Sequence, residues 1–336
     1  MADELDLLRR ANPVPTDASD FGDGPLDARA ERHLEKLLRE PPPAPPSRPL
    51  PGRRSTRRGV RLAWGLAATA VVAVTALALL LGGPSTTPAV AAPRPLVVLA
   101  DATPVPLYRL ADRAEKAAAD GGPGLRKGTH VQSWSLGMSE DEPPVTLPVE
   151  RVVRWTADGR HTELVVATDP RHPGRPVLGE DEDGTPRLVD DGHVISRKTY
   201  PPSWSDAPPE SRPPHDAGRL RAFLEEAQHT DSLGTPQLLD AVQVLLGHWT
   251  LGARESAALA RLLADADGLR PVGQVTDRLG RRGQAYVYEG TAGVRRMLIM
   301  HPATGAVFGL ETTFTEDQPE YGVTAGDVME YNAWTR

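Results

Sequence analysis

Three stretches of the sequence carry residue types at spacings that chemistry could use. Residues 121–129, GGPGLRKGT, combine glycines, a lysine and a threonine, as a phosphate-cradling loop does. The order is wrong for that role, because Arg126 rather than glycine precedes Lys127, and Gly128 separates the lysine from Thr129. The run Glu180-Asp181-Glu182-Asp183-Gly184 offers carboxylates to a calcium ion. Its glycine comes too early for the EF-hand register and no glutamate closes the loop, so it reads as a solvated hairpin tip. The nine histidines stand singly, with no pair at the i, i+4 or i, i+2 spacing that brings two imidazoles to one metal. His248, beside Trp249, reads as a dipole partner at a helix end, and His301 as a turn residue. HExxH, G-x-S-x-G, G-x-G-x-x-G after a strand and GK[ST] do not occur. With no cysteine, thiol nucleophiles, disulfides and Cys-containing metal sites are excluded. The expectation is a protein that is not an enzyme, with no catalytic, cofactor-binding or metal-binding residue.

The elements that would position any site begin with a membrane segment. Residues 62–81 form a twenty-residue run without an ionisable side chain, which as a helix reaches about 30 Å, the thickness of a bilayer's hydrocarbon core. Arg53, Arg54, Arg57, Arg58 and Arg61 stand just before it, whereas residues 82–92 carry no charge. The positive-inside rule then makes the N-terminus cytoplasmic and residues 82–336 extracytoplasmic. The span starts too far into the chain for a cleaved secretory signal and reads as a signal anchor in the cell membrane. The predicted order is a largely flexible cytoplasmic tail over residues 1–52, an arginine-rich patch over 53–61, the span over 62–81, a stalk over 82–95 and an outer domain over 96–336. Within the tail, residues 3–10 and 26–39 have short helical patterns of the kind that wait for a partner. Residues 1–61 carry 12 Lys+Arg against 10 Asp+Glu; with a net charge of −7 overall, the remainder is at −9. An acidic outer part argues against nucleic-acid binding.

The outer domain opens with a helix over residues 107–118, stopped by Gly121-Gly122. Strands follow over 129–136, 149–156 and 162–168, the last two joined at Asp158-Gly159, and a pair over 176–179 and 187–190. A proline-rich stretch from Pro201 to Pro214 interrupts the sheet. Three helices are expected over 216–229, 236–248 and 254–266, the second with Thr235 as N-cap and Pro236 at its first position. Strands return over 273–277, 284–289, 295–301 and 307–315. This order has no βαβ alternation and predicts an α+β domain: one curved antiparallel sheet, from strands on both sides of the helical insert, wrapped over helices. Such a sheet would offer an apolar concavity to an acyl chain.

The Asp3-Glu4-Leu5 start, the arginine patch, the single span, Val275-Thr276-Asp277-Arg278-Leu279-Gly280-Arg281-Arg282-Gly283 and His301-Pro302-Ala303-Thr304-Gly305 together resemble an uncharacterised family of actinobacterial single-pass membrane proteins known mainly by a locus tag. In that family the second motif more often begins Asp-Pro, and His301 departs from it. The resemblance implies topology and fold, and no reaction. In plan, the outer domain is also similar to lipoprotein-carrier and sigma-regulator sensor domains, whose curved sheet forms a hydrophobic cup. The expected function is a membrane-anchored binding or sensing module for a lipid, a lipoprotein or an envelope protein on the outer side. The alternative is a regulator that holds a cytoplasmic sigma factor through residues 1–40.

Overall fold

The computed structural model describes residues 93–140, 143–180, 186–203 and 207–335. The expected span, the arginine patch and the tail helices lie outside these residues. Among the described residues no helix is long and apolar enough to cross a membrane.

The described part is α+β. Helix α1 (Leu107–Ala119) leads into strands β1 (Arg126–Gly137), β2 (Val145–Trp155), β3 (His161–Ala167), β4 (Val177–Glu180), β5 (Pro186–Val189) and β6 (His193–Tyr200). Helices α2 (Ala217–Ala227), α3 (Thr235–His248) and α4 (Ala253–Ala264) follow, with the two-residue β7 (Trp249–Thr250) between α3 and α4. Strands β8 (Arg270–Thr276), β9 (Arg282–Tyr288), β10 (Val294–Met300), β11 (Val307–Phe314) and β12 (Val328–Trp334) complete the chain. The main sheet runs β6-β3-β2-β1-β12-β11-β10-β9-β8, with β7 also paired to β1, and β4-β5 form a separate hairpin. Every pairing is antiparallel. Strands from both sides of the helical insert therefore share one sheet, as the element order predicts. The strand that joins the two sides, β12, has no counterpart in the sequence reading, nor does the edge strand β6.

Turn chemistry explains most of the hairpins. Gly159 takes φ +83° between β2 and β3, where Thr156 N donates to Arg160 O at 2.9 Å. His301 starts the β10–β11 turn, and its Nδ1 accepts from Thr304 N at 3.1 Å and from Ala303 N at 3.3 Å. That is the job a carboxylate performs in an Asx turn. At the start of α3 the expected cap shifts by one residue. Gly234 is the N-cap, and Thr235 is the first helical residue, its hydroxyl donating to Asp267 O at 2.6 Å. The fourth helix ends at Ala264, and Gly268 (φ +75°) lies in the turn beyond it.

The helices pack on one face of the sheet. Leu110, Leu220, Leu224, Leu238, Leu239, Leu245, Leu259 and Leu263 are all essentially inaccessible there, each contributing roughly 2 kcal/mol from burial. This filling corrects the expectation of an apolar cup. Where the inner ends of the helices meet the sheet, beside Leu246, Trp249 and Trp334, the cavity is about 20 Å³, less than a single acyl chain needs. A second, smaller core lies on the opposite face of the β12–β8 half, around Trp134, Val275, Val287, Met297, Ile299 and Tyr331. It is covered by the segment that enters the domain, with Leu96 and Val98 packed against it. The end of the expected stalk is thus part of the domain: Pro93 is buried, Val98 bridges to Val275, and Leu99 N donates to Gln274 O at 2.9 Å.

Candidate functional site

The run from Val275 to Gly283 ties one end of the sheet together. Asp277 accepts from Leu279 N at 3.0 Å and from Arg281 N at 2.7 Å, closing the β8–β9 turn. Arg281 pairs with Asp277 and reaches on to Trp334 O at 2.7 Å and Phe308 O at 2.8 Å, tying three strands at one end of the sheet. Arg278 forms a buried ion pair with Glu311, the two being 5% and 0% exposed. Around that pair the entering segment is fastened: Leu96 N donates to Glu311 Oε1 at 2.9 Å, and Arg278 donates to Arg94 O at 3.0 Å. Burial pushes the Glu311 carboxyl up despite Arg278 beside it, and burial pushes the Arg278 guanidinium down. Both shifts disfavour charge, because burial of the two groups opposes their ionisation more than their mutual attraction favours it. Arg278 also lies 4.9 Å from the centroid of the Tyr331 ring, and Arg171 lies 5.1 Å from that of Trp134. Asp169 underlies Arg171. Burial raises its carboxyl, but the Arg171 hydrogen bonds and charge outweigh that and hold it below the usual range.

The β2–β3–β6 wing is built differently. Direct register runs Lys127–Trp249 across β1 and β7, Trp155–His161 across β2 and β3, and His161–Tyr200 across β3 and β6. The rings of Trp155, His161 and Tyr200 stack at 4.3 and 4.7 Å, and Lys127 Nζ sits 3.7 Å from the Trp155 centroid. This column lies under the proline-rich stretch, since Trp249 Nε1 donates to Pro209 O at 2.9 Å and Lys127 pairs with Glu210 at 3.6 Å. Lys127 is therefore a strand residue already engaged on both sides. That disposes of the phosphate-loop reading on geometry as well as on sequence order.

Among the described residues the reverse face of the wing carries no helix. One row across it reads Gly128, Arg154, Thr162, Thr199, and the next reads His130, Val152, Leu164, Arg197. Arg154, Arg197 and Thr199 are exposed, while Val152, Thr162 and Leu164 are half-buried. His130 Nε2 meets Glu150 Oε1 at 2.5 Å. A cleft of about 420 Å³ opens beside Gly128, lined among others by Arg126, Lys127, His130, Arg154 and Trp155. It is the strongest candidate site in the described residues.

The other residues weighed in the sequence fall away from it. His248 Nδ1 lies 2.9 Å from Val244 O at the end of α3, as a helix-end residue should. Glu180 ends β4, with residues 181–185 outside the described part. The orientation residues Arg53, Arg54, Arg57, Arg58 and Arg61 are outside it too. Among the described residues no three His, Asp or Glu side chains converge to hold a metal ion. No family model matches the chain, and no curated protein does.

Proposed function

We propose that the chain is a membrane-anchored, extracytoplasmic binding or sensing module whose working surface is the open face of the β2–β3–β6 wing. The observation that carries this reading is the asymmetry of the sheet. One half is buried on both faces, and the other keeps a polar face, with a cleft, that no helix among the described residues covers. An antiparallel sheet can leave one face in water at little cost. A lipid partner would meet this module by its headgroup, since the interior is filled by the protein's own side chains. The anchor itself rests on the apolar run 62–81 and its arginine flank. The entering segment's bonds to Glu311, Arg278 and Gln274 fasten the chain to the sheet where it leaves such an anchor.

The test is to purify the full-length protein from native membranes in mild detergent and identify stoichiometric lipids and proteins by mass spectrometry. A lipid or envelope protein that is lost when Arg154 and Arg197 are both changed to Gln supports the module. A sigma factor that survives those changes and is lost on deleting residues 1–40 overturns it in favour of the cytoplasmic regulator.

A further inference from the structure

We infer that the cleft beside Gly128 is a receptor for a phosphoryl group esterified to a polyol, a deepening that rests on the binding-module reading above. Gly128 is buried within β1 at φ +113°, and a Cβ there would come within 2.5 Å of Val153 O. Only glycine fits, so this point of the open face never carries a side chain. The pleat puts Arg126 and His130, two residues to either side, on the same face as the gap, and the register sets Arg154 directly across from it. Three cationic or cation-capable side chains thus frame one vacancy.

Charge balance gives the vacancy its chemistry. Arg126 and Arg154 make no side-chain hydrogen bond or ion pair among the described residues. Among the described residues that line the cleft there is no carboxylate, and Glu150, farther along the same face, is already held by His130 at 2.5 Å. Two guanidinium groups on adjacent strands repel each other unless an anion lies between them. They do so on a chain whose net charge is −7, where Arg151, Arg171, Arg261, Arg278 and Arg281 each have a carboxylate partner. Two guanidinium forks converging from different strands fit a tetrahedral oxyanion better than a planar carboxylate, which one fork satisfies. Next along the same row stand Thr162 and Thr199, with their hydroxyls 3.4 Å apart. Neutral donors and acceptors beside an anion site suit the hydroxyls of an attached glycerol or sugar. This chemistry occurs both in a phospholipid headgroup and in a soluble polyol phosphate.

The experiment uses the full chain in neutral detergent and titrates it calorimetrically with glycerol 1-phosphate and, separately, with dihexanoyl phosphatidylglycerol. The wild type is expected to bind at least one of them saturably, and Arg126→Gln/Arg154→Gln to weaken that binding by roughly tenfold or more, as loss of two charge-assisted contacts requires. Arg126→Lys/Arg154→Lys should fall between the two, because it keeps the charge and loses the forks. Binding of glycerol 1-phosphate identifies the phosphoryl-polyol group as sufficient; binding of the lipid alone assigns the source to the membrane. Unaltered thermal melting of the variants shows that the loss is local. No saturable binding of either probe below about 10 mM, or binding that the glutamine variant leaves unchanged, overturns the inference. A stoichiometric uncharged partner recovered from native membranes alongside that failure would leave the binding module standing and remove only its anionic ligand.

Discussion

The two halves of the main sheet, divided at the β1–β12 pair, spend their charged residues in opposite ways. In the β12–β8 half, charges are buried and tied to backbone: Glu311 to Leu96 N, Arg281 to two carbonyls, Asp277 to two turn amides. Strands there are covered on both faces, and β9 and β11 are buried at nearly every position. In the β2–β3–β6 wing, β6 has no fully buried residue, and Arg154 and Arg197 are exposed, with no side-chain partner among the described residues. The lesson is that one arginine-rich composition serves two purposes. An arginine that has lost its water has to be matched by a carboxylate, whereas one that keeps it remains available to a ligand.

That contrast predicts a steep gradient of mutational cost. The largest effect is expected for Glu311→Ala, which strands Arg278 in a dry site at a cost of roughly 3–5 kcal/mol; the thermal midpoint of the purified protein should fall on the order of 10 °C. Replacing both partners, Arg278→Met with Glu311→Leu, sharpens the point: global stability should largely return. Hydrogen exchange at the Leu96 amide should still accelerate, because its acceptor is gone. Equal losses for the single and double variants would show that the pair is not a desolvation problem.

Next in size is Asp169→Asn. The folded-state pKa of Asp169 lies below its unfolded value, so its contribution is complete above the ordinary carboxylate range and lost as pH falls through the lowered value. The variant should be the less stable at neutral pH, and the two stabilities should converge as pH falls through and below the ordinary carboxylate range. A constant gap across that window would mean that packing, not charge, holds Arg171 over Trp134. Smaller again is His301→Ala, at about 1 kcal/mol for two turn amides left without their acceptor, while His301→Asp should restore the wild-type midpoint. The smallest effect belongs to the wing: Arg154→Gln should change stability by less than about 0.5 kcal/mol. A large loss there would make the open face structural and erase the contrast.

Much of the fold is legible in the sequence, for identifiable reasons. Asp158-Gly159, His301-Pro302 and Pro236 are local signals, and they mark the turns and helix start they should, give or take a residue. Strands β6 and β12 escape because HVISRKTY and VMEYNAW mix polar and apolar residues without a clean period of two. Their places are fixed by partners distant in sequence, as in the bond from Thr335 N to His130 O across 205 residues. The candidate site escapes for the same reason. Arg126, His130, Arg154 and Arg197 have no telling spacing and become neighbours only through register. One local clue was present. Gly128 between Lys127 and Thr129 reads as the end of a loop, but a lone glycine within a strand marks a close backbone approach, and starting the strand at Arg126 would have exposed the gap.

The position of β12 has a consequence for how the protein is made. Among the described strands it leaves the ribosome after all the others, yet it sits between β1 and β11. Until residues 328–334 emerge, the facing edges of β1 and β11 are unpaired ladders of the kind that recruit other chains. Nascent molecules are thus most prone to aggregate just before residues 328–334 emerge, and a premature stop that removes this strand should be about as harmful as one that removes half the domain.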